Sequence, residues 1–153
     1  MLTDSGVPAD YARTVLDQCA DGTLYTVPQG EGSKSLKVYG EVLGAMLAFG
    51  MGRRDLLVAV GGGVVGDLGG FCAASYMRGI DFVNCPTTTL SQIDSSIGGK
   101  TGLDLGATKN IVGAFWQPRA VLIDPDTLAT LPRRHFVNGL AEAVKAGLIA
   151  APE

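Results

Sequence analysis

The sequence is poor in the residues from which many metal centres and membrane segments are built. Its 153 residues include one histidine, three cysteines and one tryptophan. Cys19, Cys72 and Cys85 stand in apolar or helical surroundings without metal-site spacing, which predicts reduced, buried thiols in a cytosolic protein. No apolar run approaches the roughly 20 residues of a membrane span, and the first residues lack the features of a signal peptide. We therefore expect a cytoplasmic protein without a membrane partner.

Positive charge is also scarce. The chain has 12 Lys and Arg against 15 Asp and Glu, which gives a net charge of −3 at pH 7. Proteins that bind nucleic acid or anionic lipid usually carry a basic patch. We therefore expect no nucleic-acid partner.

Glycine and apolar residues, by contrast, are abundant. There are 22 glycines among 153 residues, about twice the average share, and the mean hydropathy is +0.26. The length is that of one ordinary domain. Together these values predict a domain with a large face that meets a partner domain or subunit.

The middle of the chain contains a pattern typical of phosphate binding. The apolar run Leu56–Val60 leads into Gly61, Gly62 and Gly63, and a helix-like segment follows. Such a turn can bring N–H groups at a helix N-terminus close to phosphate. The match to G-x-G-x-x-G is weak alone, because the next strand does not end in the acid that would hold a ribose. Packing alone also produces such turns.

Polar residues follow the glycine turn in a long glycine-rich segment, which we interpret as a functional loop. Asp94, Lys100, Lys109 and Asn110 lie close together in it. Ammonium groups bind phosphate and a carboxylate binds hydroxyls. This composition suits a polyhydroxylated phosphorylated anion, although a solvated loop could share it.

Strands that alternate with helices predict a doubly wound α/β domain, with a mostly parallel sheet and helices on both faces. We expect strands at 2–5, 24–27, 56–60, 80–85 and 120–123, and helices at 8–19, 33–49, 65–77 and 133–150. In the second helix Leu36, Val38, Val42, Leu43, Met46 and Leu47 are predicted to be core, and Gly69 and Gly70 in the third are predicted to allow close packing. His135 is interpreted as a surface residue.

Several motifs in this order and spacing closely resemble 3-dehydroquinate synthase. They are Gly61–Asp67, Tyr76–Gly79, Pro86–Thr88, Asp94–Thr101, Lys109–Asn110, Gly113–Phe115, Gln117–Pro118, Thr130–Pro132 and Gly139–Glu142. The resemblance covers nearly the whole chain. It implies an NAD-binding α/β domain at 1–132, and at 133–153 the first helix of a truncated all-α metal and substrate domain. It also implies a segment that precedes the present N-terminus.

The resemblance implies a lyase of the shikimate pathway, which leads to chorismate and the aromatic amino acids. The whole enzyme would convert 3-deoxy-D-arabino-heptulosonate 7-phosphate into 3-dehydroquinate and phosphate as a homodimer, with NAD and Zn²⁺ or Co²⁺. By resemblance, Asp94 holds substrate hydroxyls, while Lys100, Asn110 and Arg78 bind the phosphate, Arg78 in the neighbouring subunit. Lys145 lies at the hydroxyl and carboxylate end. The fragment alone is expected to be inactive.

The resemblance also assigns the cofactor ligands. Glu142 would bind the metal, and the two histidines of that site would come after residue 153. The NAD site would comprise Asp4, Glu31, Lys34, Gly62, Gly63, Asp67, Thr87, Thr88, Leu90, Lys100, Lys109, Thr127, Leu128 and Thr130. Glu31 and Lys34 would serve the adenosine half, although the sequence alone suggests solvated charges. The residues alone would make Glu142 and Lys145 a surface ion pair.

One position departs from the family pattern. The family commonly has glycine directly before Lys-Asn, whereas this chain has Thr108 there and Gly106 two places earlier. If that position needs positive φ, the turn must differ here. Two other functions stay open: a related sugar-phosphate cyclase or metal-dependent alcohol dehydrogenase, and a non-catalytic nucleotide-binding remnant.

Overall fold

A computed structural model describes residues 1–150. It contains seven strands, which are β1 (Leu2–Asp4), β2 (Tyr25–Val27), β3 (Leu56–Gly61), β4 (Asp81–Pro86), β5 (Lys100–Leu105), β6 (Thr108–Phe115) and β7 (Ala120–Val121). The α-helices in this range are α1 (Ala9–Leu16), α2 (Leu36–Ala48), α3 (Gly63–Ser75) and α4 (Arg133–Ala150). Shorter helical turns occur at Glu31–Ser33, Tyr76–Arg78 and Pro125–Thr130 (3₁₀) and at Ser91–Ser95 (π). The predicted helix at the C-terminal end is confirmed.

The main sheet is parallel throughout, in the order β2-β1-β3-β4-β7. This is the doubly wound arrangement, in which the direction of the strand order reverses between β1 and β3. Alternate residues of β3 face opposite sides: Leu57 and Ala59 join the larger core with α2 and α3, while Val58 and Val60 join a second core with α1. The predicted fold class, with helices on both faces, is confirmed.

The segment from residue 100 to 115 is not the long loop that the sequence suggested. It forms an antiparallel hairpin, β5–β6, on a sheet of its own. The hairpin packs on α3, where Gly70 faces Thr101 and Phe82 so closely that a Cβ atom would collide with Thr101. Gly69 likewise faces Ala59. Glycine and polar residues interrupt the alternation of apolar and polar side chains in both strands of the hairpin. The sequence pattern therefore did not indicate strands here.

Helix α2 has a narrower buried stripe than its composition suggested. Val42 and Met46 are buried, but Leu36 and Leu47 are 49% and 69% exposed, so their assignment to the core was wrong. The helix starts at Leu36 because the Ser35 hydroxyl accepts the N–H of Val38 at 3.4 Å.

Two smaller expectations have different outcomes. Cys72 and Cys85 are buried as expected, and burial raises the pKa of the Cys72 thiol to about 12. Cys19 is exposed because it follows the end of α1, so its predicted burial was wrong. His135 is exposed, as predicted.

Helix α4 packs at Gly139 against Thr89 and Leu90. A Cβ atom on Gly139 would collide with Thr89 and with the N–H of Leu90, so only glycine permits this approach. The division at residue 132 stays a prediction, and the last three residues of the predicted second part, 151–153, lie outside the described residues. Within 1–150, no helix combines the length and apolarity needed to cross a bilayer.

Candidate functional site

The strands β1, β3 and β4 all end at one edge of the sheet, where the direction of the strand order reverses. In doubly wound folds ligands bind at this place. Helix α3 begins directly after β3, with Gly62 as its N-cap and Gly63 as its first residue. Within residues 1–150, no hydrogen bond uses the N–H groups of Gly62, Gly63, Val64 or Val65. These N–H groups and the helix dipole provide a binding place for an anion.

The three glycines are required by lack of space rather than by backbone conformation. None of them has positive φ. A Cβ atom on Gly61 would lie 2.6 Å from Val65 Cγ2, one on Gly62 3.0 Å from Thr88 Cγ2, and one on Gly63 3.0 Å from Ser95 Oγ. The packing explanation therefore accounts for the absent side chains. The N–H groups nevertheless stay free, so packing and anion binding coexist in this turn.

The Ser95 hydroxyl lies beside the same turn. Its oxygen is buried and has no hydrogen-bond partner within residues 1–150, and the hydroxyls of Thr89 and Ser96 are in the same state. Buried hydroxyls normally have partners. An anion on the α3 N-terminus would provide one for Ser95.

A cleft of about 470 Å³, the first cleft, opens on the α3 side of the turn. It is lined by Asp67, Asp94, Ser95, Ile97, Lys100, Thr101, Gly102, Asn110, Ile111, Gly113, Ala114 and Phe115. Asp94 comes from the π turn, Lys100 from the start of β5 and Asn110 from β6. Three of the four residues that the sequence grouped as a phosphosugar site therefore lie on one cavity, whereas the fourth, Lys109, does not line it.

Lys34 is the buried centre of a polar cluster at this cleft. Its ammonium group donates to Asp67 Oδ2 at 2.7 Å and to Asn110 Oδ1, and its side chain is 5% exposed. The expectation of a solvated lysine was wrong. Burial raises the pKa of Asp67, and the hydrogen bond from Lys34 opposes that shift. The assignment of Lys34 to the adenosine half stays a prediction.

The β6 strand bulges at Asn110, which has a φ of 54°. Its N–H group donates to Asp104 Oδ1 at 2.8 Å, and the strand register shifts between Leu103 and Leu105. Gly106 takes positive φ as the first of two loop residues, as a type II′ hairpin requires. Thr108 therefore does not need the positive φ that a glycine would allow.

The helix α4 places Glu142 and Lys145 at the mouth of the first cleft. The Lys145 ammonium contacts Glu142 Oε2 and lies 3.7 Å from Asp94 Oδ1. Glu142 raises the pKa of Lys145, with a smaller contribution from Asp94. The ion pair between Glu142 and Lys145 that the residues alone suggested is present. Its Lys145 ammonium also lies near Asp94, which the resemblance assigns to the substrate hydroxyls.

The residues described do not complete a metal site. No group of three or more His, Cys, Asp or Glu side chains within residues 1–150 is arranged to hold a metal ion. Glu142 Oε2 is buried and contacts the Lys145 ammonium. Glu142 can thus be one ligand of a metal, but it needs others.

A second cleft of about 330 Å³ lies on the other side of the glycine turn. It is lined by Tyr11, Thr14, Val15, Val60, Cys85, Pro86, Thr87, Leu122, Asp124, Asp126 and Thr127. The surface of this cleft is mainly apolar, although four of the lining residues carry a hydroxyl and two carry a carboxylate. Of the predicted nucleotide ligands, Thr87 and Thr127 line it, and the Thr130 hydroxyl lies 3.0 Å from the Tyr11 hydroxyl. The hydroxyl of Thr88, another predicted ligand, is hydrogen-bonded to the Ser91 hydroxyl at 2.8 Å.

Asp4 ends β1, which lies between β2 and β3; it directly follows Thr3, which pairs with Val60, the residue before Gly61. It is 8% exposed, and its Oδ1 accepts the N–H of Gly6 at 2.7 Å. Asp4 belongs to a strand that precedes β3 in the chain, whereas the usual ribose acid ends the strand that follows. Its assignment to the nucleotide site, which the resemblance implied, stays a prediction.

Some predicted residues lie apart from both clefts. Arg78 is exposed at the opposite end of α3, about 20 Å along a helix of this length. Lys109 pairs with Glu31 at 3.3 Å on the surface. Leu90 is 42% exposed under α4, and Leu128 is half-buried in the 3₁₀ turn.

Four residues of the site, Ser95, Asp104, Gln92 and Tyr11, were not predicted from the sequence. Ser95 stands inside a quoted motif, but nothing in the sequence distinguishes it from its neighbours. The others act through contacts between distant segments, for which a single sequence offers no signal.

Comparisons with known proteins point to one family. A family model described as 3-dehydroquinate synthase N-terminal matches residues 24–138. The 3-dehydroquinate synthase of Rhodopirellula baltica is 53% identical over 131 residues, which is 86% of this chain and 35% of that protein. This chain spans less than half the length of the curated relatives that it matches.

Solved structures of related enzymes have the same fold. One is 2-deoxy-scyllo-inosose synthase with carbaglucose-6-phosphate, NAD⁺ and Co²⁺, with a TM-score of 0.93 and 35% identity over 100% of this chain and 43% of that one. Another is 2-epi-5-epi-valiolone synthase from Streptomyces hygroscopicus subsp. jinggangensis 5008 with NAD⁺ and Zn²⁺. Its TM-score is 0.88 at 37% identity, over 95% of this chain and 42% of that one.

Proposed function

The chain belongs to the 3-dehydroquinate synthase family, and we propose that it forms the nucleotide-binding part of a lyase. The whole enzyme would convert 3-deoxy-D-arabino-heptulosonate 7-phosphate into 3-dehydroquinate and phosphate in the cytoplasmic shikimate pathway. The observation that carries the proposal is the α3 N-terminus with its free N–H groups, which separates an apolar cleft from a charged one. A dinucleotide beside a phosphosugar needs this arrangement.

NAD fits the residues around the glycine turn. Its diphosphate would accept hydrogen bonds from Gly62, Gly63 and the otherwise unpartnered Ser95 hydroxyl. A heteroaromatic ring suits the apolar second cleft, and Asp4 beside Gly61 suits ribose hydroxyls. Bound NAD would supply the hydride acceptor for oxidation of a substrate hydroxyl.

The first cleft suits the phosphorylated substrate. Lys100 and Asn110 would bind phosphate oxygens, and Asp94 would accept hydrogen bonds from ring hydroxyls. Lys145, held beside Asp94 by its ion pairs, would face the carboxylate end. Arg78, at the far end of α3, would reach the phosphate of a second subunit, which is the reason to propose a homodimer.

We propose that Glu142 is one ligand of a divalent metal, Zn²⁺ or Co²⁺, whose other ligands lie outside the described residues. A catalytic zinc ion usually has three protein ligands. With one carboxylate in place, this chain would bind the metal weakly. The isolated chain should therefore be inactive, and an open half-cleft would also fail to exclude water.

Phosphate release from 3-deoxy-D-arabino-heptulosonate 7-phosphate tests the proposal. With NAD and Zn²⁺ present, a longer protein that contains this sequence should release phosphate, and the 153-residue chain should release none. The NADH fluorescence of the 153-residue chain separately tests nucleotide binding. Phosphate release by the isolated chain would contradict its inactivity, and a longer protein inert towards this substrate would contradict the reaction.

A related sugar-phosphate cyclase is the second candidate. It is favoured by the TM-score of 0.93 to 2-deoxy-scyllo-inosose synthase, whose structure holds carbaglucose-6-phosphate. The identity is 35% there and 53% to a 3-dehydroquinate synthase, which favours the first candidate. Assays of the longer protein on hexose and heptulose phosphates in parallel would distinguish the two.

A further inference from the structure

Gln92 is a buried amide between the two clefts. It belongs to the π turn at Ser91–Ser95, whose Asp94 and Ser95 line the first cleft. The Gln92 side chain points the other way and is 8% exposed. π turns are often found at functional sites.

The Gln92 amide nitrogen lies close to three oxygen atoms. Pro86 O is 3.1 Å away, Asp124 O 3.0 Å and Thr127 Oγ1 3.0 Å. Two of these are backbone carbonyls, which can only accept hydrogen bonds, so the nitrogen end of the amide must face them. The Thr127 hydroxyl donates to Asp124 O at 2.7 Å and is therefore free to accept from Gln92.

All three partners line the second cleft, and they come from separate parts of the chain. Pro86 ends β4, and we call this strand end the first wall of the cleft; Asp124 is the N-cap of the 3₁₀ turn and Thr127 lies within it, and we call residues 124–127 the second wall. That second wall follows β7, which has only two residues. Two further sets of hydrogen bonds connect this part of the chain to the sheet and to α1. The Leu122 N–H donates to Asn84 O at 2.8 Å, and the Tyr11 hydroxyl contacts Thr127 O and the Thr130 hydroxyl.

We propose that Gln92 is a positioning residue that joins the two walls of the second cleft and so fixes its width for a flat ring. The proposal rests on the proposed function, since it takes the nucleotide as the ligand of this cleft. Loss of the amide would leave the Pro86 and Asp124 carbonyls without this donor. Asp124 O would keep the hydroxyl and the N–H of Thr127 as donors, but the hydrogen bonds that connect residues 124–127 to the end of β4 through Gln92 would be lost. Residues 124–127 would therefore be held less firmly against β4.

Two substitutions of similar shape separate hydrogen bonding from packing. Gln92→Met removes the donor, and Gln92→Glu at about pH 8 puts carboxylate oxygens against carbonyl oxygens. A packing role predicts that Glu behaves like Gln, whereas a donor role predicts the order Gln, Met, Glu from tightest to loosest. Gln18→Met is the control, because Gln18 is exposed and does not line the second cleft, and its amide donates only to the backbone oxygen of Thr14 within residues 1–150.

Hydrogen exchange at the Thr127 N–H, which donates to Asp124 O at 3.2 Å, reports the wall directly. Exchange should be about tenfold faster in Gln92→Met, faster again in Gln92→Glu, and unchanged in Gln18→Met. NADH affinity should fall roughly five- to tenfold in Gln92→Met, in line with the loss of one hydrogen-bond network. If Gln92→Met unfolds, Thr127→Val, which removes one acceptor, should give a smaller acceleration at neighbouring amides.

Unchanged exchange in Gln92→Met, or parental behaviour of Gln92→Glu, would overturn the proposal. Equal NADH affinity in the parent and Gln92→Met would overturn it as well. Should the parent fail to bind NADH while exchange follows the expected order, the positioning role stands and the nucleotide assignment fails. The two readouts thus separate this inference from the proposed function.

Discussion

The two clefts differ in what completes them. The second cleft is lined by strand ends, α1 and the 3₁₀ turn. The first is lined largely by the hairpin β5–β6, and the Lys145 ammonium of α4 lies 3.7 Å from its Asp94. On the hairpin Phe115 is 81% exposed, and on α4 Leu148 and Ile149 are 79% and 78% exposed. Apolar side chains so exposed on neighbouring elements are typical of a surface that another domain or subunit covers. The second cleft, proposed for the nucleotide, is therefore lined without these exposed elements, whereas the first cleft, proposed for the substrate, lies beside them.

This difference explains why the chain can be expected to bind without catalysing. A binding site needs the free N–H groups and an apolar wall, which are present here. Catalysis also needs a metal shell and exclusion of water, and these require residues that the described part does not contain. The three predictions below test this contrast, beginning with the largest expected effect.

Replacing Lys34 should damage the first cleft and spare the second. Lys34→Met leaves the Asp67 carboxylate and Asn110 without their buried cation, and breaking such a pair costs about 3 kcal/mol in the free energy of unfolding. Urea unfolding should show the loss. The control is Lys37→Met, because Lys37 is 85% exposed and pairs with Glu41 at 3.9 Å, and its effect should stay within about 0.5 kcal/mol. Equal effects of the two substitutions would contradict a structural cluster at Lys34.

Blocking the glycine turn should affect both clefts, because α3 begins between them. In Gly61→Val the Cβ atom would lie 2.6 Å from Val65 Cγ2, and such overpacking costs about 2 kcal/mol. Chemical unfolding should show this loss, and NADH fluorescence should show weaker binding. Gly40→Ala in α2 meets no atom within 4 Å and should stabilise the protein by about 0.5 kcal/mol. Unaltered NADH binding in Gly61→Val would argue that the nucleotide lies elsewhere.

The smallest effect concerns the pH dependence of stability. Burial raises the pKa of Asp67 above its ordinary value of 3.8, so the folded protein holds this proton more tightly than the unfolded chain. The contribution of Asp67 to the free energy of unfolding therefore falls as pH rises from 3.8 through the folded pKa, and it is constant above. Asp67→Asn removes this titration, so its stability relative to the parent should rise over the same window. Urea unfolding at several pH values measures the difference; a difference that falls with pH would show that the ion pair with Lys34 outweighs burial.

Sequence reasoning performed well where the signal is local. The buried run of β3, the extent of α4 and the glycine turn were all predicted, because burial on both faces of a strand and glycine before a helix leave patterns in consecutive residues. It failed for β5–β6, where Gly102 and Gly113 face each other so closely that side chains cannot fit. A strand without alternating side chains resembles a loop.

The sequence predicted many residues of the candidate site, but it did not predict which of them contact one another. Asp94, Lys100 and Asn110 were grouped from their proximity in sequence, and they do share one cleft. The role of Lys34 as the centre of a buried cluster was not foreseen. Neither was the bridge made by Gln92, because its partners Asp124 and Thr127 lie 32 and 35 residues away.

The sequence by itself determined the parallel strands of the main sheet, the α-helices, the family and the glycine turn before α3, since these depend on neighbours along the chain. Tertiary structure decided which polar groups meet. Lys34 reaches Asp67 across 33 residues and Asn110 across 76, and Asp4 lies beside Gly61 because β1 pairs with β3. Such pairings depend on how strands are ordered and how the hairpin packs on α3. The burial of many residues together sets that arrangement, and no local pattern records it.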